Sequence, residues 1–260
     1  MIDTSHIRVL AFDADDTLWD CQGHFERVMQ RLYDELVPWV DRETAALELF
    51  ATERKNMRLL GFGVKAFTLS MLETAMRVSR NEMPAETIND ILQQCYGLLE
   101  FPCTPLPGVR ETLEKLREAI PTSHVHPPKG GTRGTISPSS PHGGNEGGFK
   151  MVVFTKGELL DQEHKLERSG LARLFDYVEI TSDKGETEFR ALCQKLGILP
   201  EEMLMVGNSL KSDIAPALSI GAAAVYIPFH VTWQLEHHDH FEHPRMEQIE
   251  QFSQLLDILK

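Results

Sequence analysis

Ile7-Arg8-Val9-Leu10-Ala11-Phe12-Asp13-Ala14-Asp15-Asp16-Thr17-Leu18 begins as an apolar run and ends in three acidic residues within four positions. The apolar part is short and suits a strand covered on both faces. Four runs of similar length follow at 151–154, 177–180, 203–206 and 223–227, with amphipathic stretches at 108–119, 158–169, 187–196 and 213–220. Short apolar strands alternating with helices predict an α/β fold, a doubly wound, mostly parallel, Rossmann-like sheet. In such a sheet, residues just past a strand's carboxyl end lie on the edge where ligands bind.

Residues 20–100 break the alternation. They hold helix-period stretches at 25–36, 42–60, 65–79 and 85–99, separated by Pro38, the Gly61-Phe62-Gly63 turn and Pro84. The expected organisation is a core of 1–19 plus 103–260 and an inserted all-helical cap at 20–102, seated over the strand ends. A second composition shift falls at 121–149, which holds 7 of the 18 glycines and 5 of the 14 prolines. So few apolar side chains do not offset the entropy of ordering that segment, and a disordered insertion is expected. It enters the sheet at the amino edge, opposite the acidic residues, so a role as an active-site lid is not expected.

The chain has 260 residues and a formal net charge of −13. Neutralising nucleic-acid phosphates takes clustered Lys and Arg, so this balance argues against a nucleic-acid partner. No run approaches the ~20 apolar residues of a membrane-spanning helix. Met1-Ile2-Asp3-Thr4-Ser5-His6 does not read as a signal peptide. The expected location is the cytoplasm, with Cys21, Cys95, Cys103 and Cys193 as reduced thiols.

The acidic turn alone has two readings. Asp13 and Asp15 could converge, one attacking while its neighbour handles a proton, or the turn could end a strand and cap the following helix. The other strand ends favour the first. Phe154-Thr155-Lys156-Gly157 sets a hydroxyl, a lysine and backbone N–H groups at a helix start, suited to a phosphate. Thr181-Ser182-Asp183-Lys184 adds a lysine, and Val206-Gly207-Asn208-Ser209-Leu210-Lys211-Ser212-Asp213 adds an amide and a carboxylate.

These four stretches, in this order, resemble the four motifs of the haloacid dehalogenase superfamily, and the helical insertion resembles its first-position cap. The resemblance covers the sheet domain. It implies an aspartyl-phosphate mechanism in which Asp13 is the nucleophile and Asp15 protonates the leaving oxygen and then activates water. It also implies that Thr155 and Lys184 hold the phosphoryl oxygens and that a magnesium ion binds at Asp13, Asp15, Asn208 and Asp213. An acid two residues after the nucleophile fits the superfamily's phosphatases rather than its dehalogenases.

The expected function is therefore a magnesium-dependent phosphatase of a small phosphorylated metabolite. The rival from another class is a non-catalytic phosphate- or partner-binding protein on the same scaffold. It is motivated by Asn208, which stands where many such phosphatases carry Asp, and by the insertion. Lys156, Gly157, Arg58 and Lys65 are further candidates for substrate contact, the last two because they flank the Gly61–Gly63 turn. Arg58 and Lys65 read equally as solvated helix residues. His237, His238, His240 and His243 form a tract that suits either a metal or a solvated surface, and Phe229 and Trp233 either rim the site or pack.

Overall fold

The computed structural model describes residues 2–119, 149–231 and 233–260. Its sheet contains β1 (Val9–Phe12), β2 (Lys150–Lys156), β3 (Tyr177–Thr181), β4 (Met203–Gly207), β5 (Ala223–Tyr226) and β6 (Met246–Gln248). Their order is β3-β2-β1-β4-β5-β6, and every neighbouring pair is parallel.

Alternation along the strands sends side chains to two cores. Leu10, Phe12, Met151, Val153, Leu204 and Val206 pack on one side, with Val109 and Leu113 of α5 (Val109–Ala119) and with Phe252 and Leu255. Val9, Ala11, Val152, Phe154, Met203 and Met205 pack on the other, with Phe189 and Leu192 of α7 (Glu186–Leu196). Burial on both faces explains why these strands read as unbroken apolar runs. The sixth strand was not expected from sequence. Met246-Glu247-Gln248 is a partly exposed edge strand and has no apolar run to announce it.

Strand order reverses at β1: β2 and β3 lie to one side, and β4, β5 and β6 to the other. The carboxyl ends of β1 and β4 therefore border the crevice where sheets of this kind bind ligands.

Residues 22–97 form α1 (Gln22–Leu36), α2 (Arg42–Leu60), α3 (Val64–Val78) and α4 (Ala85–Gly97). They close around an apolar cluster of their own, including Leu32, Leu36, Leu49, Met71 and Ile91. Phe25 packs against both this cluster and that of the sheet. The turn from α2 to α3 uses Gly61 at φ 70° and Gly63 at φ 114°, a region that glycine enters without a Cβ penalty. There the chain passes close to Glu158, whose Cβ would lie 3.4 Å from a Cβ on Gly63.

The Gly/Pro-rich stretch lies outside the described residues, apart from Phe149, which packs against the sheet core. The four cysteines are buried and free. Among the described residues, no helix is long and apolar enough to cross a membrane.

Candidate active site

Residues from the turns after β1 and β4, from the end of β2, from the loop after β3 and from the helical block line a cavity of about 170 Å³ at the carboxyl edge. Asp13 follows β1, and its N–H donates to the carbonyl of Val206 at 2.9 Å, which ties the turn to β4. Its Oδ1 accepts from Lys184 Nζ at 2.8 Å and its Oδ2 from Thr17 Oγ1 at 3.2 Å. Lys184 is buried and also donates to Asp213 Oδ1 at 2.6 Å. Burial, then the neighbouring Asp213 carboxylate, pushes the Asp13 carboxyl up, while Lys184 pulls it down.

Asp213 sits in a close-fitting pocket. Its Oδ2 accepts from Ser209 N–H at 2.9 Å, and a Cβ on Gly207 would lie 2.3 Å from that oxygen. Only glycine at 207 leaves room for the carboxylate.

The acidic turn divides its labour between the two readings. Asp13, Asp15 and Asp16 all line the cavity, and Asp16 also serves the second reading. Asp16, in the left-handed region at φ 64°, accepts from the N–H groups of Cys21 and Gln22 at 2.8 Å each and so caps α1.

Asp15 is held by partners that its motif did not reveal. Trp19 Nε1 donates to Oδ1 at 2.8 Å, Gln162 Nε2 donates to Oδ2 at 2.8 Å, and Lys165 Nζ lies 3.0 Å from Oδ2. Burial raises this carboxyl, but Lys165, Gln162 and Trp19 together hold it below its ordinary value. Lys165 is 2% exposed and also pairs with Asp161 at 3.1 Å. Asp161, Gln162 and Lys165 all belong to α6 (Leu159–Ser169). Its exposed Leu159 and Leu160 and buried Asp161 and Lys165 reverse the usual pattern. That inversion shows only in the burial of the folded chain, so the sequence reading of 158–169 as an amphipathic helix did not reveal that α6 serves the site.

Asn208, after β4, completes an oxygen cluster. Its amide oxygen is 3.1 Å from Thr17 Oγ1, and the same position is 3.3 Å from the Asp15 carbonyl oxygen and 3.3 Å from Asp13 Oδ2. Facing acceptors repel unless the amide turns to donate or a cation lies between them. Neighbouring oxygens around an octahedral magnesium are about 3 Å apart, so Asp13, the Asp15 carbonyl and Asn208 fit that ion. Asp213 stands apart from this set, with both oxygens engaged by Lys184 and Ser209.

Thr155 is buried and lines the cavity. Three expectations need correction. Gly157 lines the cavity, but its N–H is not free for a phosphate, because pairing of β2 with β3 continues past the strand and it donates to Thr181 O at 2.9 Å. Lys65 does not line the cavity, since its ammonium pairs outside with Glu158. Arg58 borders an adjoining cleft and does not line the cavity itself.

Lys156 does line the cavity, but Glu236 holds it, Ser212 Oγ accepts from it at 2.7 Å, and it lies 4.1 Å from the Phe62 ring centroid. Of the segment after β5, Trp233 lines the cavity, the first of the two readings open to it, and meets Phe62 edge-on at 5.9 Å; Glu236 was not anticipated from sequence. Among the described residues, the histidine tract forms no metal-holding cluster.

Glu53 of α2 also faces the cavity. Burial pushes its carboxyl up to about 7, against a hydrogen bond from Trp233, with Glu26 raising it further; Tyr33 also faces it. A folded pKa above the unfolded value means that the folded state holds this proton more tightly. The resulting stability is complete below about pH 4.5 and is lost as pH rises to about 7. Glu53→Gln should therefore gain Tm relative to the wild type between those two values and keep a constant difference above them. Parallel Tm curves for the two proteins would refute this assignment.

The family described as haloacid dehalogenase-like hydrolase matches residues 145–221. Glyceraldehyde 3-phosphate phosphatase of Methanothermobacter thermautotrophicus is 32% identical over 120 residues, covering 43% of this chain and 52% of that protein. N-acylneuraminate-9-phosphatase of Homo sapiens is 29% identical over 80 residues, covering 29% of this chain and 32% of that protein. The chain spans about half the length, or less, of the curated relatives it matches. A haloacid dehalogenase-like family hydrolase from Xanthomonas campestris superposes with a TM-score of 0.78 at 26% identity, covering 100% of this chain and 94% of that one. That agreement over the whole fold, joined to four motifs gathered at one sheet edge, makes this chain similar to the haloacid dehalogenase-like hydrolases in fold and in the placement of its site.

Proposed function

We propose that the protein is a magnesium-dependent phosphatase of a small phosphorylated metabolite, working through an aspartyl-phosphate. The observation that carries this reading is the Asp13 carboxylate, held 2.8 Å from buried Lys184 beside the oxygen cluster of Asp15 and Asn208. An Asp13 oxygen attacks phosphorus as the bond from phosphorus to the leaving alcohol breaks. Thr155 and Lys184 hold the phosphoryl oxygens, where positioning and charge stabilisation supply most of the catalysis. Asp15 gives the alcohol its proton and then takes one from the water that hydrolyses the aspartyl-phosphate. Lys165 holds it ionised at rest, so before it can act as the acid it must turn from Lys165 and take up a proton from solvent.

Magnesium would be held by Asp13, the Asp15 carbonyl and Asn208. It would offset the charge that burial otherwise opposes on Asp13 and on the phosphoryl group. Asp213 acts through Lys184 rather than as a ligand. Residues 20–102 serve as the cap over a core of 1–19 plus 103–260, and we place the protein in the cytoplasm.

Release of phosphate from a panel of phosphorylated metabolites, with and without magnesium, tests the reading. Magnesium-dependent turnover supports it. No turnover from folded protein would favour the rival phosphate-binding role. Because a neutral amide attracts the ion less than a carboxylate, Asn208→Asp should lower the magnesium concentration for half-activity by about tenfold. Equal values in the two proteins would show that Asn208 is not a ligand.

A further inference from the structure

The cavity has two chemically different halves. Its cations, Lys156, Lys165 and Lys184, all come from the sheet side and are each paired with carboxylates. The half formed by the helical block presents Gln22, Glu53, Asn56 and Ser70 between apolar Phe25 and Met57. Among the described residues, no Lys or Arg of that block lines the cavity. Lys55 is paired with Glu73, Arg77 with Glu48 and Lys65 with Glu158, and Arg58 borders the adjoining cleft.

Glu53 is 7% exposed and held by the indole of Trp233. Asn56 is held by Ser70 Oγ at 3.2 Å and Glu73 at 3.0 Å. Two polar side chains, fixed one helical turn apart on α2, thus face the space beyond the phosphoryl site.

We propose that Glu53 and Asn56 select the leaving group: an uncharged or cationic alcohol bearing a hydroxyl or amine that they bind, and neither a carboxylate nor a second phosphate. This rests on the phosphatase reading. A second anion would meet a buried carboxyl where, among the described residues, no Lys or Arg of the helical block lines the cavity to offset it, and the sheet-side lysines are already paired. A hydroxyl or amine instead satisfies polar groups that closure of the cavity over substrate would leave unpaired.

Two matched pairs test this: glycerol 3-phosphate against 3-phosphoglycerate, and ethanolamine phosphate against phosphoglycolate. The member without a carboxylate should show kcat/KM at least about tenfold higher. Where turnover of a pair is too slow to measure, the ratio of Ki values against p-nitrophenyl phosphate hydrolysis is read instead. Glu53→Gln should shrink that ratio by about tenfold, chiefly through a lower KM or Ki for the carboxylate-bearing member.

Equal values within the pairs of the wild type would overturn the proposal without any variant, as would a ratio unmoved in folded Glu53→Gln. If that variant does not fold, Asn56→Ala should weaken the preferred members. Absence of Asp13-dependent phosphate release from every ester, p-nitrophenyl phosphate included, would instead defeat the phosphatase reading and this proposal with it.

Discussion

Asp13→Asn is expected to cut phosphate release by ~10⁴-fold or more while leaving the protein folded. An amide oxygen is too weak a nucleophile to form the aspartyl-phosphate, and the acid–base pair has no first step to serve without it. The fold should tolerate the change, because the amide occupies the carboxylate's space and Lys184 keeps its pair with Asp213 at 2.6 Å. Thermal unfolding should shift by only a few degrees, and this comparison separates lost chemistry from lost structure. Residual turnover near the wild-type level, at any magnesium concentration, would remove Asp13 from the nucleophile's role.

Lys184→Met should damage stability and activity together. The lysine side chain is 0% exposed and bridges Asp13 and Asp213, which are 11% and 1% exposed. Its loss leaves two buried carboxylates facing each other without a cation. Removing one partner of a buried pair costs about 3–5 kcal/mol, or a fall in Tm on the order of 10 °C for a chain of this size. Activity should fall by at least ~10²-fold, since the same ammonium orients Asp13 and meets the phosphoryl charge. Lys184→Arg should restore little, because a planar guanidinium does not fit a position shaped for a compact ammonium between two oxygens. A wild-type Tm for Lys184→Met would contradict the buried bridge.

The two predictions differ in what they ask of the sequence. Asp13 and Lys184 were legible as site residues because each follows an apolar strand, and parallel strands deliver such residues to one edge whatever the detailed packing. Thr155 and Asn208 were legible for the same reason. The bridging role of Lys184 was not, because it depends on Asp213 coming back against Gly207 through a bonded turn.

The misplacements share a cause. Lys65 and Arg58 flank the glycine turn, as was read, but a charged residue on an amphipathic helix has its partner chosen by whichever element lies opposite. Here Glu158 holds Lys65. Gly157 looked like a phosphate cradle until β3 was found to accept its N–H through Thr181. Lys165, Gln162, Glu53 and Glu236 were missed because their meeting requires α2, α6 and the segment after β5 to pack around one cavity.

The sequence by itself therefore determined the alternation of elements, the parallel sheet and the edge at which the chemistry sits. Burial on both faces of a strand and the period of a helix are local constraints, written in neighbouring residues. Packing between distant segments decided which lysine meets which carboxylate, that Asp16 also caps a helix, and that Glu53 lines the same cavity as the phosphoryl site. Those outcomes depend on distances between segments far apart in the chain, and burial and charge balance at each contact set them.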